Sequence, residues 1–208
     1  MGESSQSYPA RFTIDYPEKC DRLTTLLRIP VIVPMLIVLG LVSGGTSQWE
    51  HLPGWRLVWG GGGYVFAATV LMLLFRRKYP RWWFDWNLAL TKLAARVVAY
   101  FAVLTHQYPS TDEEQAVHIE LAYPDAARDL NRWLPLVKWL LALPHVIVLA
   151  FLDVVAIACT IIGWFAILFT GRYPRGIFDF VVGVMRWNLR VMAYALLLVT
   201  DAYPPFGM

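Results

Sequence analysis

From Leu136 to Phe169 about 34 residues pass with almost no polar interruption, and Asp153 sits near the middle of the run. A chain of 208 residues that is 58% hydrophobic and 16% charged offers too little polar surface to cover such a run in water. The composition therefore specifies an integral membrane protein. Read as one helix, the run would be ~50 Å long at ~1.5 Å per residue, well beyond a ~30 Å hydrocarbon core. It would also set Arg172 and Arg175 on the opposite side of the bilayer from Arg128, Arg132 and Lys138. A hairpin turning near Asp153 brings these cations to one side, as the positive-inside rule favours. Each arm is then only ~16 residues, or ~24 Å, so two short spans are expected, with a half-inserted hairpin as the rival.

A second apolar pair precedes it. A first descent runs from about Leu26 to Val42 and a return from about Leu57 to Phe75, separated by the polar, Gly- and Pro-punctuated stretch from Ser43 to Trp55. That stretch reads as an outer loop. Pro30 and Pro34 favour kinks in the descent, and Gly60 to Gly63 favour close helix packing over a local break.

After each apolar pair comes the same elbow. Arg77-Lys78-Tyr79-Pro80-Arg81 leads to Phe84-Asp85, and Arg172-Tyr173-Pro174-Arg175 leads to Phe178-Asp179. Helices are expected to follow, from about Trp82 to Leu104 and from about Ile177 to Thr200. Upstream, Phe12 to Tyr16 and Val117 to Leu121 alternate apolar and polar residues before Tyr-Pro, which reads as one short strand per copy, able to pair with each other or with a partner's edge. Acidic residues after each Tyr-Pro, Glu18 and Asp21 or Asp125 and Asp129, mark expected helix starts. The predicted architecture is a mainly α integral membrane protein of two tandem repeats, residues 8–109 and 115–208. Each repeat comprises a short strand, a transmembrane helical hairpin and an interfacial amphipathic helix, giving about four spans, with the copies related by a pseudo-twofold along the membrane normal.

The formal net charge of +3 is small but concentrated. Arg76, Arg77, Lys78 and Arg81 form one cluster and Arg172 and Arg175 another, which is the pattern that grips anionic headgroups rather than nucleic acid. On the helices after the elbows, Asp85, Lys92 and Arg96 share one stripe and Asp179, Arg186 and Arg190 repeat it. Mid-core arginines are costly, so these helices are expected in the plane of the interface. Asp85 and Asp179 have three readings: first-turn caps, inter-repeat ion pairs (Asp85 with Arg186 or Arg190, Asp179 with Arg96 or Lys92), or a proton or substrate path.

No phosphate loop, paired-cysteine motif or His-Glu-x-x-His motif occurs, and no metal or cofactor is implied. His51, His106, His118 and His145 are far apart in the chain. His145 reads as a polar residue bonded to a neighbouring helix ahead of a haem or metal ligand, and Glu50 with His51 as a solvated pair. Cys20 and Cys159 fall at different expected depths, so no disulfide is expected. The N-terminal residues lack the basic and apolar regions of a cleavable signal peptide.

The run Lys138 to His145, the run Trp164 to Gly176, Tyr16-Pro17-Glu18 and the terminal Tyr203-Pro204-Pro205-Phe206 resemble the bacterial membrane family catalogued as domain of unknown function 4389. The second half resembles it closely and the first half loosely, with Arg76-Arg77-Lys78 in place of Thr-Gly-Arg. The resemblance implies a bacterial inner-membrane protein with no attached activity. Combined with the residues, it leads to the expectation of a non-catalytic, multi-pass protein with both termini cytoplasmic, serving as an accessory or scaffold subunit on a larger membrane complex and binding anionic lipid. A small oligomeric transporter or channel is the alternative, and a lipid-modifying enzyme acting through Asp179 is the third reading.

Overall fold

The computed structural model describes residues 8–17, 22–42, 62–111, 113–126 and 128–207. Strand β1 (Ala10–Ile14) leads to helix α1 (Arg22–Val42), which continues through Pro30 and Pro34. Helix α2 (Gly62–Leu71) passes into a π-helical turn, Met72–Arg76, and α3 (Arg81–Phe101) follows the first elbow. The second half contains β2 (Val117–Leu121), α4 (Pro135–Leu141), α5 (Leu143–Thr170) and α6 (Arg175–Ala195). The outer loop, Gly60 and Gly61, Glu18, Cys20, Asp21, Glu50 and His51 lie outside the described residues, and Cys159 carries a free thiol.

The strands pair with each other, antiparallel, in a register centred on Phe12 opposite Ile119. Their alternation does what the pattern requires. Phe12, Ile14, Val117 and Ile119 are buried, while Arg11, Thr13, Asp15, His118 and Glu120 face outward. A two-stranded ribbon needs a covering layer to be stable. Here α6 packs along β1 and α3 against β2, and α5 in turn packs along α6.

Both post-elbow helices begin directly after an extended proline, at Arg81 and Arg175, and the carbonyls of Pro80 and Pro174 accept the first helical N–H bonds. Asp85 and Asp179 therefore lie one turn inside, with no acidic residue in either first turn, so the capping reading is corrected. The turn at Asp125 to Asp129 is likewise no helix start: the Asp129 carboxylate accepts the Asp125 N–H at 2.9 Å, and the helix begins only at Pro135.

The expected turn near Asp153 is absent. Leu143–Thr170 is one continuous helix, and Asn188 of α6 donates to the Asp153 carboxylate at 2.8 Å. A carboxyl satisfied by the neighbouring helix does not need a turn to reach water, so the second hairpin, and with it the count of four spans, falls away. Among the described residues two helices are long and apolar enough to cross a membrane, Thr24–Val42 and Leu143–Thr170, while the return segment is the shorter Phe66–Arg76.

Where α5 meets α6 it presents Leu149, Ala156 and Gly163, a seven-residue spacing that keeps one face inward. Gly163 is there for a reason: a Cβ at that position would lie 2.7 Å from the Tyr173 ring. The opposite face of α5 exposes Ile147, Phe151, Val154, Ile161, Phe165 and Phe169.

Candidate functional site

Each elbow is completed by a tyrosine from the far half of the chain. Tyr123, just past β2, donates its hydroxyl to the Tyr79 carbonyl at 2.6 Å, and its ring lies 5.3 Å beneath the Arg81 guanidinium. Tyr16, just past β1, donates to the Tyr173 carbonyl at 2.5 Å, with Arg175 5.0 Å over its ring. Edge-on contacts with Phe84 and Phe178, at 5.2 and 5.0 Å, fix the two tyrosine rings. A cation over a tyrosine face is held by the ring quadrupole without losing its charge.

The helix ends are pinned in the same crossed manner. Arg132 donates to the Leu74 carbonyl at 2.7 Å and Arg22 to the Phe169 carbonyl at 3.2 Å. A left-handed residue then turns the chain, Arg77 at φ 49° in one elbow and Gly171 at φ 72° in the other. All six elbow cations, Arg76, Arg77, Lys78, Arg81, Arg172 and Arg175, are exposed, and among the described residues none makes an ion pair. The first elbow opens on a groove of about 790 Å³ lined by its four cations together with Asp125 and Asp129.

The cationic stripe finds other partners than those expected. Arg96 donates to the Ser110 carbonyl at 2.6 Å, Arg190 to the Gly207 carbonyl at 3.3 Å, and Arg186 to the Phe12 carbonyl at 3.1 Å. Lys92 is half-buried, Asp85 and Asp179 are exposed, and no ion pair among the described residues joins either acid to a cation. The arginines instead tie down strand and tail backbone. Loss of hydration holds the Arg190 guanidinium below its ordinary pKa, with neighbouring Arg186 acting the same way.

Residues 132–207 match the family model described as a domain of unknown function, DUF4389. No curated protein and no solved structure matches the chain. The DUF4389 segment takes in α4, α5, the second elbow, α6 and the tail, and it encloses a polar cluster that the sequence reading did not single out. Lys138 is fully buried, 2.7 Å from the Asp201 carboxylate and 2.6 Å from the Thr200 carbonyl, with the Tyr194 ring 5.0 Å away. Burial pulls the Lys138 pKa down and the bond to Asp201 opposes it. Burial, then the Asp201 charge, pushes Tyr194 up.

In the first half of the chain Arg28 is also buried; it donates to the Tyr100 carbonyl at 2.6 Å, meets His106 at 3.1 Å and lies 4.3 Å over the Tyr100 ring. A lone cation inside an apolar run was the available signal, since such a charge needs a partner. His145 behaves as expected: Trp187 donates to its Nδ1 at 3.1 Å, and Phe206 stacks on it at 3.9 Å. Among the described residues no three or more His, Cys, Asp or Glu side chains could hold a metal ion.

Proposed function

We propose that the chain is a non-catalytic membrane protein that grips anionic lipid through its two elbows at the cytoplasmic face of a bacterial inner membrane, both termini on that side. Docked there, it serves as an accessory or scaffold subunit of a larger membrane complex. The observation that carries this reading is the set of six elbow cations that make no ion pair among the described residues and are framed by the exposed aromatic residues Phe75, Trp82 and Phe169. Exposed aromatic groups beside unneutralised cations suit the headgroup level of a bilayer. Each such cation is worth ~1 kcal/mol against an anionic surface, so a cluster binds where one charge does not.

The further proposal is that the chain consists of two copies of one module, residues 8–109 and 115–208. What supports it is the strand register centred on Phe12 and Ile119, the exchanged tyrosines Tyr16 and Tyr123, and the paired clamps of Arg28 on Tyr100 and Lys138 on Tyr194. Vesicle flotation tests the lipid reading. Binding to phosphatidylglycerol vesicles should exceed binding to phosphatidylcholine vesicles, and Gln at Arg76, Arg77, Lys78 and Arg81 should remove most of the difference. Indifference to the anionic lipid sinks that reading. Recovery of the protein alone from gently solubilised native membranes sinks the subunit reading.

A further inference from the structure

Three rods lie side by side in the second half of the fold. Helix α5 runs antiparallel along α6: Ala142 and Leu149 pack with Val191, Tyr194 and Ala195, Asp153 bonds Asn188, and Gly163 abuts Tyr173. Strand β1 runs antiparallel along the other side of α6. The Tyr8 hydroxyl meets the Arg190 carbonyl, the Phe12 carbonyl accepts from Arg186, and Tyr16 packs on Phe178. The centre of the strand ribbon is therefore level with the centre of α5.

This stacking decides how α5 can meet a bilayer. Were α5 upright, the ribbon would stand beside it at mid-membrane depth. Its outward face carries Arg11 4.0 Å from Glu120 and His118 3.2 Å from Asp15, with side chains 62%, 76%, 54% and 72% exposed, and these charged and polar groups would face hydrocarbon. So would backbone at the open ends of a ribbon of only two strands. Neither is tolerated in lipid, where backbone polar groups need internal partners and charges must be shielded. Turned by a right angle, the same stack has no conflict. The exposed apolar face of α5 looks one way, amphipathic α6 lies in the middle, and the charged strand face looks the other way into water.

We infer that α5, though long enough to span, lies flat in a single lipid leaflet, with its row from Ile147 to Phe169 against the acyl chains and the strand ribbon in the aqueous phase. The inference rests on the membrane reading above and adds that the second half of the protein is monotopic. The long apolar helix is then a float rather than a crossing, in the manner of an interfacial amphipathic helix whose polar side is covered by the protein itself.

Spin-label depth measurement tests it on the full chain in phosphatidylethanolamine and phosphatidylglycerol vesicles. Single labels are placed through Ile147→Cys, Val154→Cys, Ile161→Cys and, on the ribbon, Thr13→Cys, in a Cys20→Ser, Cys159→Ala background. All four positions are exposed, and circular dichroism of each labelled variant checks that the helices are retained. A flat α5 gives the three helix labels one common depth, accessible to oxygen, and leaves the Thr13 label open to a water-soluble nickel chelate. An upright α5 separates the Ile147 and Ile161 labels by about 21 Å at ~1.5 Å per residue and buries the Thr13 label, which overturns the inference while the membrane reading stands. Helix labels that contact no lipid at all overturn both.

Discussion

The ammonium of Lys138 and the carboxylate of Asp201 stand 2.7 Å apart where the C-terminal tail folds back onto α4. Lys138 is fully buried and also donates to the Thr200 carbonyl, while the Asp201 side chain stays 23% exposed, so the tail is held by charge as well as by packing. Removing one partner of such a pair leaves an uncompensated buried charge. Asp201→Asn should lower stability by about 3 kcal/mol. Lys138→Met, which replaces the cation by a similar apolar volume, should cost clearly less. Denaturant unfolding of both single variants and the double variant in detergent checks the order, and equal costs with no coupling would remove the pair from the account.

The buried lysine also sets a pH dependence. Burial places the folded-state pKa of Lys138 below the ordinary 10.5, so over that interval the unfolded chain binds the proton more tightly and stability rises with pH. The sign reverses for Tyr8, Tyr79 and Tyr194. Burial raises each of them above 10.0, so from about that pH the unfolded chain releases protons first and stability falls. A maximum on the alkaline side should result. Thermal unfolding across pH should show the rising limb flattened in Lys138→Met with the falling limb kept.

Gly163 and Tyr173 fit so closely that a methyl group is enough to part them. Gly163→Ala places a Cβ 2.7 Å from the Tyr173 ring, whose carbonyl holds Tyr16. Overpacking of this kind costs about 1–3 kcal/mol. Trypsin should then cut faster at Arg172 and Arg175, because the second elbow loses its fixed backbone. An unchanged cleavage rate would show that the ring simply moves aside.

The two left-handed residues differ in kind. Arg77 holds φ 49° with a side chain, whereas the other elbow uses Gly171 at φ 72°. Relieving that strain in Arg77→Gly should raise stability by up to about 1 kcal/mol, and Gly171→Ala should lower it by about 1–2 kcal/mol. Melting temperatures of the two variants should move in opposite directions. A shared direction would mean that neither conformation is strained.

Much of the fold was legible because its signals are local. The alternation of Val117 to Leu121 marked β2 to the residue, and the prolines at Pro80 and Pro174 placed α3 and α6 to within a few residues, since a proline fixes its own backbone wherever it sits. The elbow cations were readable as a cluster because they adjoin in the chain. The acids Asp85 and Asp179 were misread as caps for the same local reason: the helices start at the arginines before them, and a first-turn position moves with the start.

By itself the sequence determined that the chain carries apolar runs long enough to cross a membrane, where β2 and the elbow helices form, and which charges flank its apolar runs, while β1 lies two residues earlier, at Ala10–Ile14, than the expected Phe12 to Tyr16. Only the tertiary structure decided that Asp153 needs no turn because Asn188 answers it, that Arg28 and Lys138 close on His106 and Asp201, and that Arg96, Arg186 and Arg190 bind backbone rather than acids. The reason is physical. Hydropathy and periodicity are properties of neighbouring residues, whereas the partner that satisfies a polar group inside an apolar segment lies tens of residues away and is chosen by how the helices pack.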